Sequence, residues 1–505
     1  MLFNSYVFVF LFFPISLAGY WLCVKAAEKK GRSFLPSLFL VTASLLFYGY
    51  LKPAYLPVLL VSLLVNFFFY RQIEKRKEKK VLLAAGILLD LLVLGIFKYT
   101  GSTFVPLGIS FFTFSQIAFL MEGYRGSLKK TGFLDYSLYL TFFPKIMEGP
   151  IALPADFLPA YQESRKKGFS YENLYRGLTL FILGLSKKVL LADTLGKAVD
   201  FGYSNLSALN TPDALIVMLS YTLQLYFDFS GYCDMAMGIA RCFSIALPLN
   251  FNMPYRAENI IDFWKRWHIT LTRFFTKYLY IPLGGNRKGR FRTYINTLVV
   301  FLVSGIWHGA GFTFVIWGGM HGALYVVTRW IHDRKKDKAA AEGNGVQSRT
   351  AGEKQNTVAT TGGAGKVNLL SRAGKLCSTV LTFLFVNVAW VFFRAPSVDD
   401  ALALFKRMGS LTFTRVNWNL AGNFNLDEFW YVIKVLHLDS WQYAHYILMV
   451  LILAVALILS VKKESAVRMA ERIKPGALST LVLAVLLLWC VLGFGGVSSF
   501  IYLNF

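Results

Sequence analysis

The chain has 505 residues, 55% of them hydrophobic and only 16% charged, with 53 Lys and Arg against 28 Asp and Glu for a formal net charge of +25. That mixture excludes disordered, collagenous and disulfide-scaffold classes, and it leaves too few charges to cover the surface of a soluble protein of this size. The 46 Phe, 26 Tyr and 11 Trp suit lipid contact and interfacial belts, so the positive charge is assigned to basic loops rather than to a nucleic-acid-binding face.

Taken in order, residues 5–24 are apolar and reach no basic residue before Lys25. A cleaved signal peptide wants a positive start, so this stretch reads as a retained first span. Clear spans follow at 34–51, 55–70 and 81–98. Less uniform candidates lie at 103–122, 132–150, 174–195, 212–240, 294–318 and 319–331, and the last at 375–393, 443–461 and 476–497. The expectation is an all-α, polytopic membrane protein of about 11 transmembrane helices, with some middle segments re-entrant or interfacial. The loops 25–33 and 71–80 are strongly basic, which places both in the cytoplasm and the N-terminus outside.

Three regions are expected: a core over 1–331, a basic cytoplasmic linker over 332–370, and a C-terminal set of transmembrane helices over 371–505. The linker assignment rests on the run 333–368, which has no aromatic residue and many Gly, Ala, Thr and Lys. Such a stretch cannot bury enough apolar surface to offset its ordering entropy. The five cysteines are dispersed without CxxC spacing, giving neither a disulfide framework nor a zinc signature.

Polar residues interrupt the apolar segments between about 103 and 322. Charged groups at membrane depth are costly unless they face a cavity or a partner, which makes each a functional candidate. The run YTLQLYFDFSGYCDMAMG (221–238) carries Gln224, Asp228, Ser230 and Asp234. The run 250–290 mixes Trp, Phe and Tyr with Arg and Lys, as helices lying in the headgroup region do, and contains His268. It ends in the turn LGGNRKG, where Asn286 permits tight backbone geometry and Arg287 and Lys288 could meet phosphate. The sharpest run is YINTLVVFLVSGIWHGAGFTFVIWGGMHGALY (294–325). His308 sits there in an apolar span beside Trp307 and the small residues Ser304, Gly305 and Gly309. Small residues let helices approach closely or leave room for a ligand chain. An imidazole is the side chain best suited to proton transfer near neutral pH. His321 follows thirteen positions on. On one continuous helix it would be rotated by roughly 220° from His308, so it is expected to point away.

These runs, with PLGISFFTFSQIAFLMEGYRG (106–126) and FFPKIMEGPI (142–151), resemble the membrane-bound O-acyltransferase (MBOAT) family. They are most similar to its bacterial branch of alginate O-acetylating and teichoic-acid D-alanylating enzymes. The resemblance covers the chain to about residue 331, and its motifs are specific for the family rather than for a substrate. It implies helices ringed around a thin centre pierced by a tunnel. It implies that the histidine of the WHG motif, His308, is catalytic, with His268 of the RWH motif as the second histidine tied to activity. It further implies an acyl group, most simply acetyl, moved from a cytoplasmic thioester such as acetyl-CoA to hydroxyls of an exported cell-envelope polysaccharide. A separate extracytoplasmic acyltransferase partner is expected to complete that transfer.

Within that reading Asp228, Ser304, Trp307 and Asn286 are candidates to line the substrate path, and Arg287 and Lys288 to hold donor phosphates. No metal cluster or bound cofactor is expected. The alternatives are D-alanyl transfer to teichoic acid and, from another class, transport of a polysaccharide or lipid-linked sugar. The transporter reading lacks the repeated halves usual in that class.

Overall fold

The computed structural model describes the chain apart from residues 77, 102–103, 129, 342–363, 427–429, 438–440, 442, 497–499 and 502–505. The described residues form helices and no strands. The first four helices are α1 (Phe13–Lys30), α2 (Leu35–Leu51), α3 (Leu56–Lys75) and α4 (Lys79–Tyr99). Proline occupies the first turn of α1, α2 and α3, where its missing N–H costs nothing. These helices turn much of their apolar surface outward, with Leu46, Leu64, Leu88 and Leu92 all exposed. A helix apolar on its outer face belongs in lipid.

The middle of the chain is built differently. It runs through α5 (Ile109–Arg125), α6 (Phe133–Thr141), α7 (Pro154–Lys167), α8 (Tyr171–Ser186), α9 (Asp193–Ser204) and α10 (Thr211–Cys242). α10 is started by a capping box in which Asn210 and Asp213 satisfy each other's backbone N–H groups. Its 32 residues rise about 48 Å, and most are buried on every side. α8 lies against α10 so closely that a Cβ at Gly184 would stand 2.7 Å from the Gly231 carbonyl, and one at Gly231 2.8 Å from that of Gly184. Only glycine fits at either position.

Two expectations are corrected here. The span expected over 132–150 is the short α6 followed by irregular backbone from 142 to 153, all of it buried. Irregular backbone at membrane depth is tolerated where protein covers it. The span expected over 174–195 is interrupted by a π-helical segment, Lys187–Ala192, between α8 and α9. That segment carries two lysines to acidic residues of α10, Lys187 to Asp234 at 2.5 Å and Lys188 to Asp228 at 2.7 Å.

The run 250–290 forms α11 (Ile260–Trp264), α12 (Ile269–Phe275) and a π-helical turn, Thr276–Tyr280. The pieces are short, as expected of re-entrant elements. Their aromatic residues point inward, however, not to the headgroups. Phe263, Trp264, Trp267, Phe274 and Phe275 are all buried.

Next come α13 (Gly289–His308) and α14 (Phe312–Ala341). The break falls at 309–311, eight residues earlier than expected, because Gly309 takes extended backbone directly after His308. The two helices cross where a Cβ at Gly305 would lie 2.3 Å from the Phe314 carbonyl and one at Gly318 2.5 Å from that of Phe301. At the far end Arg290 and Asp337 pair across the two helices, and the guanidinium holds the Asp337 carboxyl below the usual carboxylate range.

α14 runs on to Ala341, and α15 (Ala364–Arg394) starts at residue 364. The ends of the expected 332–370 linker are therefore helical, and its middle, 342–363, lies outside the described residues. The chain closes with α16 (Val398–Gly409), two short helices α17 (Trp418–Gly422) and α18 (Trp430–Val435), then α19 (Ala444–Ser460), α20 (Ala466–Arg472) and α21 (Ala477–Leu492). Five helices among the described residues are long and apolar enough to cross a membrane, and α2 and α19 are shorter apolar helices. The central helices, which carry polar residues and are buried in protein, do not meet that criterion of length and composition.

Candidate active site

Two histidines from different segments, His308 and His268, are buried in the interior. His308 is the last residue of α13 and is 3% exposed. Its ring packs against Trp307 at 4.5 Å, Phe393 at 5.0 Å and Trp317 at 5.1 Å between centroids. His268 caps the start of α12 in a left-handed conformation, φ 44°, uncommon for a residue with a side chain and a local cost of order 1–3 kcal/mol. It is 1% exposed.

Asn250 sets the His268 ring. Its side-chain oxygen lies 3.0 Å from His268 Nδ1 and also accepts from the backbone N–H and hydroxyl of Thr270 at 3.2 and 2.9 Å. With two other donors already on that oxygen, Nδ1–H is the natural third, which leaves Nε2 of neutral His268 as an acceptor. Among the described residues Nε2 has no hydrogen-bond partner, although the residue is buried. A buried imidazole nitrogen left open costs about 1–3 kcal/mol and is available to any hydrogen-bonding group that reaches it. The Thr270 hydroxyl in turn accepts from the backbone N–H of Ile151, which docks the buried 142–153 segment onto the histidine turn.

A cavity of about 280 Å³ approaches this centre along one face of α13. Its wall includes Asn286 in the glycine turn, then Thr297, Phe301 and Ser304, the last one helical turn short of His308. Lys265 and Arg329 also line it, and Trp264 stands on its inner side. The space is apolar in depth with cations on its walls, which suits a short apolar chain carried on an anionic group.

The sequence candidates separate into three groups. His308 and Trp307 form the buried centre, where Trp307 stacks on Phe114 at 5.0 Å and its carbonyl accepts from Lys98. Ser304 and Asn286 line the cavity, with Tyr280 donating to the Asn286 side chain at 2.5 Å. Arg287 and Lys288 are exposed on the turn beside it. Asp228 is not part of the cavity wall, although its neighbour Phe229 packs edge-on against the His268 ring at 4.8 Å. It takes Lys188 at one oxygen and the backbone N–H of Ile501 at 2.9 Å on the other, while Lys188 also reaches Asp193 at 2.9 Å. Both Asp228 oxygens are thereby engaged inside the protein.

His321 does not point away from His308, as a continuous helix would require. The break at 309–311 puts the two histidines on separate helices that pack together, and Trp317 touches both, His308 at 5.1 Å and His321 at 5.0 Å. Asn250, Thr270, Lys98 and Phe393 also escaped the sequence reading. Asn250 stood in a quoted run with only its small amide as a signal. Phe393 comes from α15, beyond the low-complexity stretch, and nothing in its local sequence ties it to residue 308. Among the described residues no group of three or more His, Cys, Asp or Glu is disposed to hold a metal ion.

Residues 66–332 match the membrane-bound O-acyltransferase family. The chain is 37% identical to a peptidoglycan O-acetyltransferase of Helicobacter pylori, over 81% of its own length and 80% of the relative's. It is 32% identical to a probable alginate O-acetylase of Pseudomonas aeruginosa, over 83% and 76%. Similarity to a teichoic acid D-alanyltransferase of Bacillus subtilis, 30% identical, covers only 43% of this chain. The chain belongs to the membrane-bound O-acyltransferase family and is a multi-pass membrane acyltransferase.

Proposed function

We propose that the protein transfers an acetyl group from a cytoplasmic thioester donor to hydroxyls of an exported cell-envelope polysaccharide, with His308 as general base. The observation that carries this reading is the pair of buried histidines, His308 and His268, the latter keeping a ring nitrogen with no hydrogen-bond partner among the described residues. In the transfer the acceptor oxygen attacks the thioester carbonyl as its proton passes to the His308 imidazole. The tetrahedral intermediate then collapses, the carbon–sulfur bond breaks, and the thiolate recovers the proton from the imidazolium. General-base assistance of this kind is worth about 10²–10⁴-fold in rate. His268 Nε2, an acceptor, orients the substrate through a neighbouring hydroxyl and leaves the reacting proton to His308.

The donor enters along the cavity from the side of the glycine turn, where Arg287, Lys288, Lys265 and Arg329 meet its phosphates. This orientation accords with the basic loops 25–33 and 71–80 on the cytoplasmic side of a bacterial inner membrane, with the N-terminus outside. An extracytoplasmic partner then places the acyl group on the finished polymer. Peptidoglycan is favoured as acceptor over alginate by the higher identity to the peptidoglycan relative, and D-alanyl transfer to teichoic acid is disfavoured by the partial coverage. Mass analysis of envelope glycans from cells with and without the protein tests the proposal. Ester-linked acetyl on peptidoglycan that disappears with the protein supports it, and unchanged esters on every glycan overturn it.

A further inference from the structure

Trp264 stands where the cavity ends. Its indole lines the cavity with Phe301 and packs edge-on against Phe301 at 5.2 Å and Trp317 at 5.9 Å. Trp317 continues the wall to the His308 ring. Trp264 and Trp317 thus form a continuous aromatic wall leading from the cavity, beside Ser304, to the histidine one helical turn further on.

The orientation of the cavity-side indole is fixed by His321. Trp264 Nε1–H donates to His321 Nδ1 at 3.3 Å, a fully buried bond. Because Nδ1 accepts, neutral His321 carries its proton on Nε2, and that N–H has no hydrogen-bond partner among the described residues. His321 is 0% exposed, and the rings of Phe263, Phe301, Phe385 and Trp390 also pack around it. An imidazole enclosed in this way has one polar task on its described side, which is to hold the Trp264 ring. Protonation at Nδ1 would set two N–H groups against each other, so the bond also keeps His321 from acting as a base through that nitrogen.

We propose that Trp264, held by His321, determines the length of acyl chain the enzyme transfers: the indole closes the inner end of the cavity to all but a two-carbon acyl group. The inference rests on the acyl-transfer reading above and adds a specificity residue and its positioning residue. A hydrophobic wall discriminates by roughly 10–200-fold per methylene, so removing it should show clearly in product composition.

The test uses the full chain in cells fed sodium butyrate, with ester-linked acetyl and butyryl on envelope glycans measured by mass spectrometry at matched membrane levels of protein. Trp264→Ala should raise the butyryl-to-acetyl ratio by about 10-fold or more over wild type. Trp264→Phe keeps a ring but loses the N–H, and His321→Leu loses the acceptor. Each should raise the ratio by about 3-fold, while His321→Gln, whose side-chain oxygen can still accept from the indole, should restore the wild-type ratio. A purely structural role would lower both esters together and leave the ratio where it was. An unmoved ratio in Trp264→Ala, or equal loss of both esters in Trp264→Ala and Trp264→Phe, overturns the proposal. Acetyl esters that require the wild-type protein test the transfer reading separately, so the wall can fail while acyl transfer stands.

Discussion

α4 and α10 are both long membrane-protein helices, yet they obey different rules. In the most apolar stretch of α4 only 17% of the residues are buried, and in that of the helix containing α21 only 11%. Their outer faces meet lipid, and hydropathy alone describes them. α10 is enclosed, and Asp228, Ser230 and Asp234 lie within it among apolar neighbours. Its polar groups are balanced by lysines from the π-helical segment, and its glycines allow α8 to approach. Function sits on the enclosed side of that division, because only there can an imidazole be shielded from both water and lipid.

Breaking the enclosed network should have the largest effect. Lys188→Met leaves Asp228 and Asp193 without their cation and should cost about 3–5 kcal/mol, read as a fall in membrane abundance and in detergent unfolding temperature. Lys29→Met, exposed in the last turn of α1, should stay within about 0.5 kcal/mol. Equal effects at the two positions would remove the distinction between the regions.

Asn250→Ala sharpens the comparison at the site itself. It strips the partner from His268 Nδ1 and from Thr270, and should lower acyl transfer by about 10–100-fold, equivalent to about 1–3 kcal/mol. The check is acyl content of the envelope at matched protein level. A paired glycine test follows. Gly305→Ala forces a methyl against the Phe314 carbonyl and should destabilise by about 1–3 kcal/mol. Gly95→Ala in α4 meets nothing within 4 Å and should be neutral or stabilising by up to about 1 kcal/mol. The smallest effect is expected from exchanging 342–363 for a short Gly/Ser linker, since its composition offers little to pack, and transfer should be unchanged.

The same division decides what could be read from the sequence. The outer helices at 35–51, 56–75 and 79–99 were legible because lipid contact demands continuous apolar runs. The motifs holding His308 and His268 were legible because polar residues in apolar runs stand out. The buried loop 142–153 was not, since protein burial and lipid burial leave the same apolar signature. The break after His308 was also missed. Gly309 and Gly311 read equally as packing glycines, and that choice reversed the placement of His321. The ion pair of Asp228 was not legible because its partner Lys188 comes from an interrupted helix 40 positions away.

The central claim is that His308 takes the proton of the acceptor hydroxyl. The direct measurement is ester-linked acyl content of the envelope polysaccharide in cells carrying His308→Gln at wild-type membrane levels. Glutamine keeps a hydrogen-bonding side chain of similar reach but cannot accept a proton near neutral pH. Transfer should fall below about a tenth of wild type, a barrier increase of more than roughly 1.4 kcal/mol. Retention of more than a tenth would contradict the assignment and move the role of base to His268.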